Sequence, residues 1–204
     1  MPSILLLTND FGPRAGGIET FIIGLLERMP KGEVIVYTSR QSGSESFDKK
    51  WLDNFGVKVI RDASKILLPS PRVIRAVRKV IKQSKIEKVW FGAAAPLAIS
   101  ARFLRVGNVK KIVALSHGHE VWWSKVFPFN LAMKEIARSV DVLTFLGDYT
   151  GSVIKKNFKG RAKLVKIAPG IDINHFKPER DLSKISEVRS ELKIGSEPLI
   201  LSVG

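Results

Sequence analysis

Ser116-His117-Gly118-His119-Glu120 sets two imidazoles and a carboxylate within four positions, the residue types that hydrogen-bond sugar hydroxyls, steady a diphosphate or bind a metal ion. On a loop, alternate positions point apart, and the third histidine, His175, is distant in the chain, so the pattern argues against a metal and for hydrogen bonding, with plain loop packing as the alternative. A second candidate is the turn Gly12-Pro13-Arg14-Ala15-Gly16-Gly17, which follows an apolar run and precedes a helical pattern. Glycine backbone there would let a ligand approach, and a helix N-terminus favours phosphate. The glycines at 12, 16 and 17 fit neither the dinucleotide fingerprint nor a P-loop, and a sharp strand-to-helix turn would use the same residues for its own geometry. No Ser/His/Asp series, nucleophile elbow or closely spaced carboxylate pair supports hydrolysis.

A third group is cationic. Arg72, Arg75, Arg78, Lys79, Lys82 and Lys85 alternate with Val73, Ile74, Val77, Val80 and Ile81 after Ser70-Pro71, a cap residue followed by proline at the first helical position. At about 100° per residue most cations share one face and the aliphatics the other. Such a helix suits an anionic membrane surface or nucleic acid, or is an ordinary solvated face. Trp122-Trp123 can stack on a sugar or a lipid, or fill the core beneath the loop. Asp148-Tyr149-Thr150 and Pro169-Gly170-Ile171-Asp172 follow further strands, as helix cap and turn or as ligand contacts.

These residues need strands and helices to hold them. Apolar runs at Ile4–Leu7, Val34–Thr38, Val57–Ile60, Lys88–Phe91, Lys111–Leu115, Val142–Phe145 and Leu164–Ile167 predict strands. Between them the spacing predicts helices from Ile18 to Met29, from Pro71 to about Ser84, from Ala94 to about Arg105, from about Asn130 to Ser139 and from Asp148 to Asn157. About seven strands alternating with helices, without alternating polarity, predict a Rossmann-like, doubly wound, mainly parallel sheet. Residues 1–180 form this domain in the reading. Residues 181–204 read as an interdomain helix, capped by Ser183, and a fresh strand at Leu199–Val203 that would open a second domain.

The 204 residues carry 34 Lys+Arg against 19 Asp+Glu, a net charge of +15, with 45% apolar residues and no cysteine. That composition excludes global disorder, a disulfide framework, Cys-ligated zinc and a thiol nucleophile. No apolar run approaches the roughly 18–20 residues of a membrane span, and no basic n-region with a cleavage site opens the chain, so the expected place is the cytoplasm. The charge asks for an anionic partner. Nucleic acid is disfavoured, because no recognition helix, stacking platform or basic-aromatic repeat is present.

Taken in order, Thr8-Asn9-Asp10-Phe11 with Pro13-Arg14 and Gly16-Gly17-Ile18, Leu68-Pro69-Ser70-Pro71-Arg72-Val73, Val89-Trp90-Phe91-Gly92-Ala93-Ala94-Ala95-Pro96-Leu97, His117-Gly118-His119-Glu120 and Pro169-Gly170-Ile171-Asp172 resemble the N-terminal half of the retaining family 4 glycosyltransferases of GT-B fold. The narrower likeness is to the phosphatidylinositol (mannoside) mannosyltransferases. The resemblance implies one half of a GT-B fold, the acceptor-binding half of an enzyme that transfers a hexose, mannose by preference, from a nucleotide sugar such as GDP-mannose to a phosphoinositide-like lipid. It implies that the backbone of Gly16 and Gly17 approaches the donor diphosphate and that His117 is the active-site histidine near the transferred sugar. Asp10, Glu19, His119, Glu120 and Tyr149 are implied on the acceptor side, although Glu19 replaces the amide expected after Gly-Gly-Ile. Arg72, Arg75, Arg78, Lys79, Lys82 and Lys85 correspond to a membrane-docking region, and no metal is implied. An Arg and a Lys that grip the donor diphosphate are expected beyond Gly204, so this half alone is expected to be inactive. The competing expectation is a non-catalytic membrane-docking, acceptor-presenting module of a split glycosyltransferase. Either way the chain is expected to sit peripherally on the inner face of the plasma membrane.

Overall fold

The computed structural model describes residues 2–157, 162–171, 173–174 and 176–200. Short apolar runs bury on both faces as parallel strands do, giving β1 (Ile4–Thr8), β2 (Val34–Thr38), β3 (Lys58–Arg61), β4 (Lys88–Phe91), β5 (Lys111–Leu115), β6 (Val142–Phe145) and β7 (Lys163–Lys166). They form one all-parallel sheet in the order β3-β2-β1-β4-β5-β6-β7, with Leu5 opposite both Ile35 and Val89. The intervening helices are α1 (Gly17–Leu26), α2 (Ser44–Phe55), α3 (Pro71–Gln83), a 3-10 helix (Leu97–Leu104), α4 (Glu120–Lys125), α5 (Phe129–Ser139) and α6 (Asp148–Asn157).

Alternate residues of β1 feed two cores. Ile4 and Leu6 share a buried cluster with Ile22 and Leu26 of α1 and Trp51 of α2. Leu5 and Leu7 share another with Val73 and Val77 of α3, Leu97 of the 3-10 helix and Ile136 of α5. Helices thus cover both faces, as right-handed crossovers running first one way and then the other from β1 require. The fold is the Rossmann-like, doubly wound α/β sheet that the alternation predicts. The winding reverses between β1 and β4, whose carboxyl ends therefore open the crevice where such sheets take ligands.

All seven expected strands occur in that sheet, with Val57–Ile60 and Leu164–Ile167 shifted by one residue. Two helices escape the apolar pattern. α2 has a narrow stripe of Phe47, Trp51 and Phe55 in a charged background, bracketed by Gly43 and Gly56 in the left-handed region. α4 is too short for a period to show. The expected helix from Ala94 tightens to a 3-10 helix, with Ala98 and Ala101 fully buried against the sheet. By contact the chain divides into residues 1–169 and 170–204. The second unit holds α7 (Leu182–Glu191), whose cap is Asp181, accepting from the Ser183 N–H at 3.0 Å, rather than Ser183 itself. Most of the expected strand Leu199–Val203, along with Asp172 and His175, lies outside the described residues.

α3 starts as the sequence predicts, with Ser70 Oγ accepting from the Val73 N–H and Pro71 next. Val73, Val77 and Ile81 are buried, and Arg75, Arg78, Lys79 and Lys82 rim a shallow depression of about 410 Å³. Arg72 does not belong with them. Its guanidinium turns back to the buried Asp62 carboxylate, at 2.6 and 3.0 Å, and to Ser64 Oγ, while the Tyr37 hydroxyl donates to the same carboxylate from beneath. Of the expected membrane-surface set, Arg72 is thus engaged by an internal anion: one carboxylate ties β2, the end of β3 and the start of α3 together. The Arg72 bonds hold the Asp62 carboxyl well below the usual carboxylate range despite burial. Burial first, and the bond to Asp62 second, push the Tyr37 hydroxyl up.

Asp62→Ala strands the Tyr37 hydroxyl and the Ser64 N–H and is expected to cost about 2–3 kcal/mol at pH 7 in urea titrations; the Arg72 side is discounted for its exposure. A depressed folded pKa gives stability that is present above about pH 3.9 and lost as pH falls through the folded value. The gap between wild type and Asp62→Ala should then narrow below about pH 4. A gap that stayed constant to about pH 2 would contradict the assignment.

Candidate active site

Three segments meet at the crevice: the turn from β1 to α1, the end of β4 at Gly92, and the loop from β5 to α4. The turn is held from outside itself. Asn9 exchanges two hydrogen bonds with the Leu67 backbone, at 3.1 and 2.7 Å. Arg61, paired with Asp48, donates to the Gly12 carbonyl at 2.6 Å, and Gln41 donates to the Phe11 carbonyl and accepts from the Arg14 N–H. Phe11 is fully buried between Phe47 and Trp51. Gly12 must be glycine, since a Cβ there would lie 2.5 Å from the Phe47 ring.

The two glycines at the head of α1 differ. A Cβ on Gly16 would meet the Glu19 carboxylate at 2.3 Å, whereas one on Gly17 would meet open space. No side chain caps this helix, so its first N–H groups stay available to an anion at Gly17. Glu19 is nearly buried and receives two bonds from Arg14, at 2.7 and 3.0 Å. The carboxylate expected on the acceptor side is thus engaged by Arg14 and packs against Gly16. Asp10 lies 3.7 Å from Arg14 and is only partly covered. Its pKa is raised, first by burial and then by Glu19, with Arg14, His117 and His119 pulling the other way. Asp10, Glu19, Arg14 and both histidines therefore share one electrostatic neighbourhood.

The loop carrying the histidines wraps around a buried anion. Glu120 is 0% exposed, and its Oε2 accepts from Ser116 Oγ at 3.0 Å, the His117 N–H at 3.1 Å and the Gly118 N–H at 3.2 Å. Gly118 turns at φ +105, a conformation that only glycine adopts without strain. Glu120, expected on the acceptor side, holds the loop through one enclosed carboxylate oxygen. Its Oε1 accepts no hydrogen bond among the described residues, and half-exposed His119 stands 3.4 Å away.

His117 is fixed by what surrounds it. Nε2 lies 2.7 Å from the Gly92 carbonyl, which can only accept, so the proton sits on Nε2 and Nδ1 of the neutral ring remains an acceptor. Phe21 meets the ring edge-on at 5.7 Å. Gly92 itself admits no side chain, since a Cβ would lie 2.6 Å from Thr8 Oγ1 and 2.7 Å from Ile22. Tyr149, by contrast, stands exposed on the first turn of α6 with no bond to its hydroxyl among the described residues. Nor, among those residues, do three His, Asp or Glu side chains gather as a cation site.

Arg14, Gly92, Arg61 and Asn9 are site-building residues whose roles the motifs did not disclose. Arg14 is the lone cation of the glycine turn, five residues before Glu19, and that spacing was the available signal. Arg61 and Asn9 act through backbone carbonyls and amides distant in sequence, which leave no mark on a motif.

The sequence profile of Glycosyltransferase Family 4 matches residues 15–175. The chain belongs to glycosyltransferase family 4. It is 36% identical over 199 residues to the GDP-mannose-dependent alpha-(1-6)-phosphatidylinositol monomannoside mannosyltransferase of Mycolicibacterium smegmatis, covering 97% of this chain and 51% of that protein. The GDP-mannose-dependent monoacylated alpha-(1-6)-phosphatidylinositol monomannoside mannosyltransferase of Corynebacterium glutamicum is 34% identical over 176 residues, 85% of this chain and 45% of its own. The chain spans about half the length of the curated relatives it matches. Among solved structures, Anabaena HepE in complex with UDP superposes with a TM-score of 0.65 at 17% identity, over 95% of this chain and 50% of that one. A glycosyltransferase from Rickettsia africae gives 0.59 at 17%, over 96% and 50%. These two likenesses are of fold.

In this family 4 chain the Glu120 clamp sets the His117 ring, and that can be measured. Glu120→Ala should cost about 3 kcal/mol by orphaning three donors, and should release His117 to a mixture of tautomers in ring-nitrogen NMR. Glu120→Gln, which keeps an acceptor oxygen, should retain most of both. An unchanged His117 tautomer in Glu120→Ala would refute the clamp.

Proposed function

We propose that this chain is the acceptor-binding half of a retaining mannosyltransferase of GT-B architecture, using GDP-mannose as donor and a phosphoinositide-like lipid as acceptor. The carrying observation is His117, pinned to Gly92 in the crevice beside the uncapped start of α1. In this reading the N–H groups at Gly17 receive the donor diphosphate and His117 orients the sugar. The acceptor hydroxyl bonds near Asp10 and attacks C1 on the face the leaving group departs from. The new C1–O bond forms as the C1–phosphate oxygen bond breaks, and the hydroxyl proton passes to the departing phosphate. No step is routed through a metal ion. Arg14 is already engaged by Glu19, so this half offers the leaving diphosphate no uncommitted cation at the turn. Residues 1–204 by themselves should therefore bind without transferring.

The relatives' names support the donor and the lipid class, each being GDP-mannose-dependent and acting on a phosphatidylinositol mannoside. Arg75, Arg78, Lys79, Lys82 and Lys85 support docking on an anionic membrane face, since none has an acidic partner among the described residues. No described helix is long and apolar enough to cross a membrane. The reading is of a peripheral protein on the cytoplasmic face. The same cations favour the second reading, an acceptor-presenting module working with a separate donor-binding subunit.

In a protein carrying both halves, His117→Ala should lower mannose transfer from GDP-mannose on the order of 100–1,000-fold. A transfer rate and donor affinity that stayed at wild-type values would sink the assignment. Reversing Arg75, Arg78, Lys79 and Lys82 to Glu should weaken sedimentation with anionic vesicles by at least about 100-fold, at about 1 kcal/mol per cation. Equal, negligible binding of the wild type to anionic and neutral vesicles would remove membrane docking from the reading.

A further inference from the structure

Residues 120–140 display a surface that the proposed transfer chemistry leaves unused. Where α4 gives way to α5, Trp122 is 53% exposed, Phe127 75% and Leu131 52%. Single exposed apolar residues are ordinary, but these three stand within ten positions. Trp122 packs on the Phe129 ring at 4.9 Å, and Phe129 in turn packs on the partly buried Trp123 at 4.9 Å, so Trp122 is propped outward on an aromatic stack.

The charges around the ridge have one sign. Lys125, Lys134 and Arg138 are exposed and have no acidic partner among the described residues. The stretch contains two acids, and both are taken: Glu120 is buried beneath its loop, and Glu135 accepts from Ser139 and lies 3.5 Å from Arg102. The ridge also shares its side of the sheet with the cations of α3. α5 packs on the 3-10 helix, the 3-10 helix packs on α3, and all three feed one core cluster. Between them Arg102 lies over the ring of Phe103, itself 43% exposed, at 4.5 Å.

An acidic protein surface would satisfy the cations, but aromatic anchors of a protein interface seat in a fitted pocket at its centre, whereas here the apolar side chains lie beside cations that continue onto the α3 surface already read as lipid-facing. A bilayer interface satisfies both: indole rings favour the headgroup level, Phe and Leu enter the acyl boundary, and Lys and Arg stems lie along apolar groups with their charges at the phosphates. We propose that Trp122, Phe127 and Leu131 insert into the interface of an anionic bilayer, with Lys125, Lys134 and Arg138 over its phosphates. The inference rests on the reading that this protein works at a lipid surface, and it adds an apolar contact separate from the α3 cations.

Trp122 is its own probe, because Trp51 and Trp90 are buried and Trp123 is partly so. The full chain is mixed with vesicles of phosphatidylcholine alone, or of phosphatidylcholine with phosphatidylglycerol, with and without brominated acyl chains. Tryptophan emission should shift to the blue and be quenched on the anionic vesicles, and Trp122→Phe should remove most of the quenching. Phe127→Asp with Leu131→Asp should weaken vesicle binding about tenfold or more at an unchanged unfolding midpoint. The α3 charge reversal should weaken binding yet leave quenching of the bound fraction intact. Binding without quenching, or full affinity in the Phe127→Asp, Leu131→Asp variant, overturns the ridge and leaves α3 docking standing. No binding to either vesicle overturns the ridge and the lipid-surface reading together, whereas failure of sugar transfer in a protein carrying both halves, with quenching intact, strikes the transfer reading alone.

Discussion

The hydrogen bond from His117 Nε2 to the Gly92 carbonyl joins the ends of β4 and β5 at the crevice, and most of the surrounding sequence is constrained by it. The carbonyl can reach the ring only because β4 ends close against β1, and that approach leaves no room at Gly92 for a single methyl group between Thr8 and Ile22. The ring can reach the carbonyl only because Glu120 gathers the backbone of residues 116–118 around one oxygen. Three strands and two loops thus converge on one imidazole. Its tautomer follows from that packing, with the Glu120 carboxylate acting through the loop backbone and not by a bond to the ring itself, the more usual way of orienting a histidine.

The site is an assembly of charges set against desolvation. Glu19 and Glu120 are almost wholly withdrawn from water, which is tolerable only where donors replace the lost hydration. Glu19 finds them in Arg14, and Glu120 finds two amides and a hydroxyl. Asp10 has weaker compensation, and its raised pKa registers the difference. Of the three carboxylates expected to face a ligand, Asp10 has the weakest ion pair within the protein. Burial sorts these acids by how far the protein itself satisfies them more sharply than their place in a motif does.

That sorting marks the boundary of what the amino-acid order reveals. Strands such as Ile4–Thr8 and Lys111–Leu115 were legible because burial on both faces demands continuous apolar runs, and the crevice followed from their alternation with helices. The direction of a side chain on a loop has no such periodic signature. His117 and Glu120 are three residues apart, yet one lies at the crevice and the other beneath it, because Gly118 reverses the backbone at φ +105. Likewise Arg72 and Arg75 sit three apart on one helical face, where periodicity groups them. Asp62, ten residues upstream of Arg72, captures the first and leaves the second in solvent. α2 was illegible for a different reason: its stripe of Phe47, Trp51 and Phe55 is too narrow to stand out from its charged neighbours.

The net charge of +15 is consequently poorer evidence than its distribution. Arg14, Arg61, Arg72 and Arg105 are spent on internal anions, and their substitution would be felt as loss of structure. The other cations of α3 and those of the α4–α5 segment have no acidic partner among the described residues, and all lie in the helical layer on one side of the sheet. Unpaired like charges repel, so a layer of them carries a cost in free energy that the fold does not recover internally. In the proposed reading an anionic surface outside the molecule recovers it. The opposite layer, built from α1 and α2, is different: its α2 carries Asp48 and Asp53 beside Lys49 and Lys50, a mixed surface with no comparable bias. The asymmetry between the two layers, more than the total, is what ties the charge of this chain to one direction of approach.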